Sequence, residues 1–114
     1  MIKLLRVDDR LIHGQVATTW TKTLQADSII VANDEVISNE LQIIALKLAV
    51  PAGMKVAIRS VSEAIGLLAN PKALPMKIFV VVNHPRYALR IAQAVPETIE
   101  GINIGNYYGS PQLR

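Results

Sequence analysis

The chain predicts an α/β fold, with an open, mainly parallel sheet, helices on both faces and a functional loop after the first strand. Three observations predict it. Short apolar runs alternate with amphipathic stretches along the whole chain. The runs are three to six residues long and rich in Val and Ile, the habit of strands buried on both faces. Capping and turn residues punctuate the intervals.

Ile2 to Val7 reads as the first strand, and Gly14 to Leu24 as a helix with Val16, Trp20 and Leu24 at four-residue spacing. Ser28 to Ala32 (SIIVA) is the second strand. The second helix runs from about Ser38 to Val50, with Leu41, Ile44, Ala45 and Leu48 as its expected buried stripe, and Pro51 and Gly53 stop it. Met54 to Ile58 is the third strand. Ser60 and Glu63 then match a capping box, in which each side chain satisfies a free backbone N–H at a helix start. That helix ends near Asn70 and Pro71. Lys77 to Val82 (KIFVVV) is the fourth strand. Pro85 suits the first helical position, where its missing N–H costs nothing, and Ala88, Ile91, Ala92 and Val95 face inward. Ile102 to Ile104, between Gly101 and Gly105, is the fifth strand. The order βαβαβαβαβ implies parallel pairing, and ligands of open sheets bind beyond the carboxyl ends of the strands.

Bulk properties narrow the class. The 114 residues suggest a single domain, residues 1–114, large enough to bury a core without disulfides. Apolar residues make up 51% and charged residues 18%, the balance of a globular chain. Cysteine is absent, which excludes disulfides, thiolate metal sites and a cysteine nucleophile. The formal charge of +3 is spread without a basic run, and there are five aromatic residues (one Trp, three Tyr, one Phe), so nucleic acid is not expected as a partner. No signal peptide or spanning segment is visible, which leads us to expect a cytoplasmic protein. No Walker loop and no GxGxxG follows a strand, so neither a nucleotide nor any other cofactor is expected.

The most informative segment is Arg6-Val-Asp-Asp-Arg-Leu-Ile-His-Gly-Gln15, between the first strand and the first helix. His13 precedes the helix start, where free N–H groups and the dipole favour an anion. The same positive end disfavours a protonated ring, and the neutral imidazole is the nucleophilic form. Arg6 and Arg10 can offer forked donors to phosphate oxygens. Asp8 or Asp9 can accept from the ring or hold an arginine. Phosphoryl transfer asks mainly for positioning and charge stabilisation. On residue chemistry alone, a solvated salt-bridge cluster with a capping histidine is the commoner reading.

The string RVDDRLIHGQV resembles the signature of the mannose/fructose/sorbose family of IIB subunits of sugar phosphotransferase systems. Asn33-Asp34 after the second strand and Ile102-Asn103-Ile104-Gly105 near the fifth are similar to that family in order and type, so the likeness covers nearly the whole chain. The resemblance implies that His13 accepts a phosphoryl group from a phosphohistidine on a IIA partner. The group then passes to a sugar carried through the membrane IIC and IID subunits. It also implies that Arg6, Asp8 and Arg10, with Gly14 and Gln15, support the phosphate, without a metal. The protein would then lie at the membrane periphery through its partners. Members of that family continue past the Gly105 region, whereas this chain ends at Arg114, so an uncovered sheet edge is expected.

Asn33, Asp34 and His84 share the rim with His13 and are candidates for a pocket. Asn33 and Asp34 suit a turn equally well, and His84 or Asn83 suits a cap on the helix opened by Pro85. Ser60 reads first as a cap, and Arg59 is a weaker candidate for phosphate contact. Trp20 fits the core. Leu11 and Ile12 can dock a partner or anchor the loop from beneath. A receiver module that is phosphorylated on aspartate needs an acceptor after the third strand, where Arg59 and Ser60 stand instead. The remaining alternative is a non-catalytic anion-binding or regulatory domain. The sugar is not readable from the chain, and a homo-oligomer is compatible with it.

Overall fold

The computed structural model describes residues 1–12 and 14–105, with backbone only for residues 14–16. Its strands are β1 (Ile2–Val7), β2 (Ser28–Ala32), β3 (Lys55–Arg59), β4 (Ile78–Val82) and β5 (Ile102–Ile104). Its helices are α1 (Gly14–Leu24), α2 (Glu40–Ala49), α3 (Val61–Ala69) and α4 (Pro85–Ala94). The strands form one sheet in the order β3-β2-β4-β1-β5, and every pairing is parallel.

This order explains the layering. The first two crossovers step one way across the sheet and the last two step back. Right-handed crossovers therefore send α1 and α2 to one face and α3 and α4 to the other. Two cores result. Val61, Ala64, Leu68, Ala88 and Ile91 pack on one side of the sheet with Ile2, Leu5, Val80 and Val82. Ala17, Leu46, Ile29, Val31, Phe79 and Val81 form the other, with Trp20 and Leu24 packed against them. All five residues of β2 and of β4 are buried, as expected of strands covered on both faces.

Local signals act as the sequence predicts. Ser60 and Glu63 make the full capping box of α3. His84 caps α4, its Nδ1 accepting from the Arg86 N–H at 3.0 Å, and Pro85 takes the first turn. The third and fourth strands each begin one residue later than expected, at Lys55 and Ile78.

The second helix is the correction. A 3₁₀ turn at Val36–Ser38 comes first, and Asn39 rather than Ser38 caps α2 by accepting from the Gln42 N–H. The predicted inner stripe faces outward: Leu41, Ile44, Ala45 and Leu48 are exposed, and Leu46 is buried with Ile43 and Ala49 beside it. The helix is apolar on two opposite sides, so periodicity alone chooses the wrong one. Trp20 is partly buried rather than enclosed. At the sheet edge, Ile102 and Ile104 of β5 are exposed. Among the described residues, no helix is long and apolar enough to cross a membrane.

Candidate functional site

The carboxyl rim of the sheet is organised by Asp8, which is fully buried where β1 ends. Its N–H donates to Val82 O at 2.8 Å, tying it to the neighbouring strand β4. One carboxylate oxygen, Oδ1, accepts from the Arg10 N–H at 3.0 Å. The other, Oδ2, pairs with Arg6 Nη2 at 3.2 Å. The Leu11 N–H returns to Asp8 O at 3.0 Å, closing the chain into a tight loop. Leu11 stands at φ 57, a left-handed conformation that costs a branched residue about 1 kcal/mol. Burial of its side chain, together with that of Ile12, offsets the strain. Leu11 and Ile12 therefore anchor the loop from beneath.

Arg6 projects from within β1 and is held on several sides. Its Nη1 donates to Asn103 Oδ1 on the adjacent strand β5. Its guanidinium carbon lies 5.4 Å from the centroid of the Trp20 ring, within cation–π range. Its side chain is 11% exposed against 0% for Asp8, so the pair is nearly dry and geometrically fixed. Gly105 leaves room for this cation, because a Cβ there would overlap the guanidinium. An arginine held by a buried carboxylate and an amide has already given up its side-chain freedom, so binding an anion costs it little more.

The loops after β2 and β4 complete the rim. Asn33 is buried, and its Oδ1 accepts from the N–H groups of Glu35 and Val36, each at 2.8 Å. Asp34 Oδ1 accepts from the Val61 N–H at 2.8 Å, and Oδ2 lies 3.7 Å from Arg90 Nη1. Both side chains are thus engaged in turns and inter-element ties. Glu35, Asn83, His84, Arg86 and Tyr87 line a cleft of about 210 Å³. Burial, followed by the carboxylates of Asp34 and Glu35, holds the Tyr87 phenol above its ordinary range. Among the described residues, Asn33 Nδ2 and Asn83 Oδ1, on neighbouring strand ends, are buried without hydrogen-bond partners. Arg59 turns back on its own strand, donating to Ile58 O at 2.8 Å.

Of the candidate residues, Arg6 and Asp8 meet directly, and the backbone of Arg10 joins them. The Arg10 side chain itself is exposed. His84 lies on the cleft wall. His13, the Gln15 side chain and the surroundings of Gly14 lie outside what the structure describes. Residue chemistry alone did not single out Asn103 or Gly105 and placed Trp20 in the core; the only signal for the first two was their place in the resemblance. Among the described residues, no group of three or more His, Cys, Asp or Glu side chains is placed to hold a metal.

These features define an open-sheet α/β domain with a fixed guanidinium beside the carboxyl end of β1. A model of the PTS system sorbose subfamily IIB component matches residues 2–111. The chain belongs to that family. It is 51% identical over 106 residues to a probable phosphotransferase enzyme IIB component of Streptococcus pyogenes serotype M6, covering 93% of this chain and 64% of that protein. The mannose-specific EIIAB component of Escherichia coli K12 is 34% identical over 105 residues, which span 92% of this chain and 32% of that protein. The crystal structure of the IIBSor domain of the Klebsiella pneumoniae sorbose permease superposes with a TM-score of 0.87 at 37% identity, covering 97% of this chain and 68% of that one. The chain thus spans just under two thirds of the length of the streptococcal protein.

Proposed function

We propose that this chain is a phosphohistidine carrier of sugar uptake, taking a phosphoryl group onto His13 from a IIA partner and passing it to a sugar entering through membrane IIC and IID subunits. The observation that carries the reading is the Arg6 guanidinium, fixed by Asp8, Asn103 and Trp20 beside the loop that leads into His13. Family membership supports the reaction class. The EIIAB name of the Escherichia coli relative supports a IIA partner.

In the first step the P–N bond to the donor histidine breaks as a P–N bond to the neutral His13 ring forms. In the second, a sugar hydroxyl attacks phosphorus, its proton is released, and the imidazole leaves. Both steps pass charge through the equatorial phosphoryl oxygens, where forked guanidinium donors act best. Asp8 is a positioning residue in this scheme, because both its oxygens are engaged with Arg6 and the Arg10 N–H. The α1 N-terminus, which supplies free N–H groups, follows His13 directly in the chain. The protein acts in the cytoplasm and meets the membrane through its partners.

Phosphorylation with the general phosphocarriers and a family IIA domain tests the reading. Wild type and His84→Ala are expected to label, and His13→Ala is not. The label should be acid-labile and alkali-stable, as a phosphoramidate is and an acyl phosphate is not. Arg10→Ala should slow transfer by about 100-fold or more, the scale on which one charge-stabilising donor acts. Label retained in His13→Ala would refute the assignment, and an unlabelled wild type would favour a non-catalytic anion-binding domain.

A further inference from the structure

Helix α2 has an inner apolar side, Ile43, Leu46 and Ala49, packed in the core, and an outer one that nothing among the described residues covers. On the outer side Leu41 and Leu48 are each 81% exposed, Ile44 is 54% exposed, and Ile37 in the preceding turn is 41% exposed. Single exposed leucines are ordinary, but four large apolar side chains along one short segment mark an interaction surface.

The pattern itself indicates what covers it. Positions 41, 44 and 48 have the alternating three- and four-residue spacing of a coiled-coil seam, with Leu41 and Leu48 at a and Ile44 at d. On this heptad Glu40 and Lys47 occupy the two g positions and Ala45 the e position. In an antiparallel helix pair g edges face g edges, so Glu40 of each helix meets Lys47 of the other. In a parallel pair g faces e, and Glu40 would meet Ala45. Only the antiparallel arrangement matches the charges, and it does so twice, as an isologous two-fold interface requires.

We propose that the outer face of α2 docks a second copy of this chain, with the two α2 helices antiparallel about a two-fold axis level with Gln42 and Ile43. Leu41 of one copy then lies opposite Ile44 of the other. A ten-residue helix offers less than the roughly 800 Å² per partner of a standard interface, so the dimer should be weak, with a dissociation constant of about 10–100 μM.

Sedimentation equilibrium of the 114-residue chain tests this. Wild type should show a monomer–dimer equilibrium. Leu41→Glu/Leu48→Glu changes only exposed positions, so circular dichroism should stay native while association weakens at least about 100-fold. Glu40→Lys and Lys47→Glu should each weaken it by about 5- to 10-fold, through two lost attractions and two new repulsions. The double exchange Glu40→Lys/Lys47→Glu should restore it to within about twofold of wild type. A wild type that stays monomeric up to about 1 mM would overturn the proposal and leave α2 to a different protein. A charge exchange that fails to restore association would overturn the antiparallel pairing.

Discussion

Arg6 shows how much of a site can rest on one side chain. Its guanidinium is fixed by a carboxylate from its own strand end, an amide from β5 and an indole from α1. The RVDDR string makes Arg6 and Asp8 legible, because two opposite charges two residues apart at a strand end invite pairing. Asn103 and Trp20 are not legible in the same way, since their contacts with Arg6 join residues 97 and 14 positions away, and only the sheet order brings them together. Gly105 is the most testable of these positions. Gly105→Ala should displace the guanidinium and lower the phosphoryl transfer rate by about 10-fold or more, the scale of one lost charge-stabilising donor. Gly101→Ala is the matched control: its Cβ would meet only Leu4 Cδ1 at 3.4 Å and Lys3 O at 3.6 Å. Single-turnover transfer assays should separate the two, and equal rates would show that Arg6 does not act from this position.

At the level of elements, the loop after β1 and helix α2 teach opposite lessons. The loop's place was readable from strand, helix and charge pattern. Its left-handed residue was not, because leucine is a poor marker for positive φ. This yields an unusual ordering. Leu11→Ala keeps the backbone strain and removes a buried side chain, costing about 2–4 kcal/mol. Leu11→Gly removes the same packing but adopts φ 57 freely, so it should be at least as stable as the alanine variant. Urea unfolding compares them directly, and a glycine variant clearly below alanine would show that the loop does not hold this conformation. In α2 the apolar residues lie on two sides, and the sequence carries no mark for which side the sheet takes. The capping box at Ser60 and Glu63 was legible because it is satisfied within one turn and needs no tertiary partner.

Across the whole molecule, stability should be graded from the middle of the sheet outwards. β4 lies between β1 and β2 with every residue buried, whereas β5 pairs through three residues and exposes Ile102 and Ile104. Native-state hydrogen exchange should therefore place β4 amides at the global unfolding free energy and those of β5 lower by about 2 kcal/mol or more. Equal protection in the two strands would contradict this gradient. The alternation of apolar runs and helices disclosed the parallel α/β class; the strand order came only from the structure, since several orders satisfy the same alternation. The bond from Arg6 to Asn103 has a consequence for dissecting the protein. A proteolytic fragment ending after α4 would contain every letter of the first-loop motif and still lose the amide that steadies its arginine. Mixing such a fragment with the complementary peptide would be a reconstitution of chemistry as well as of shape.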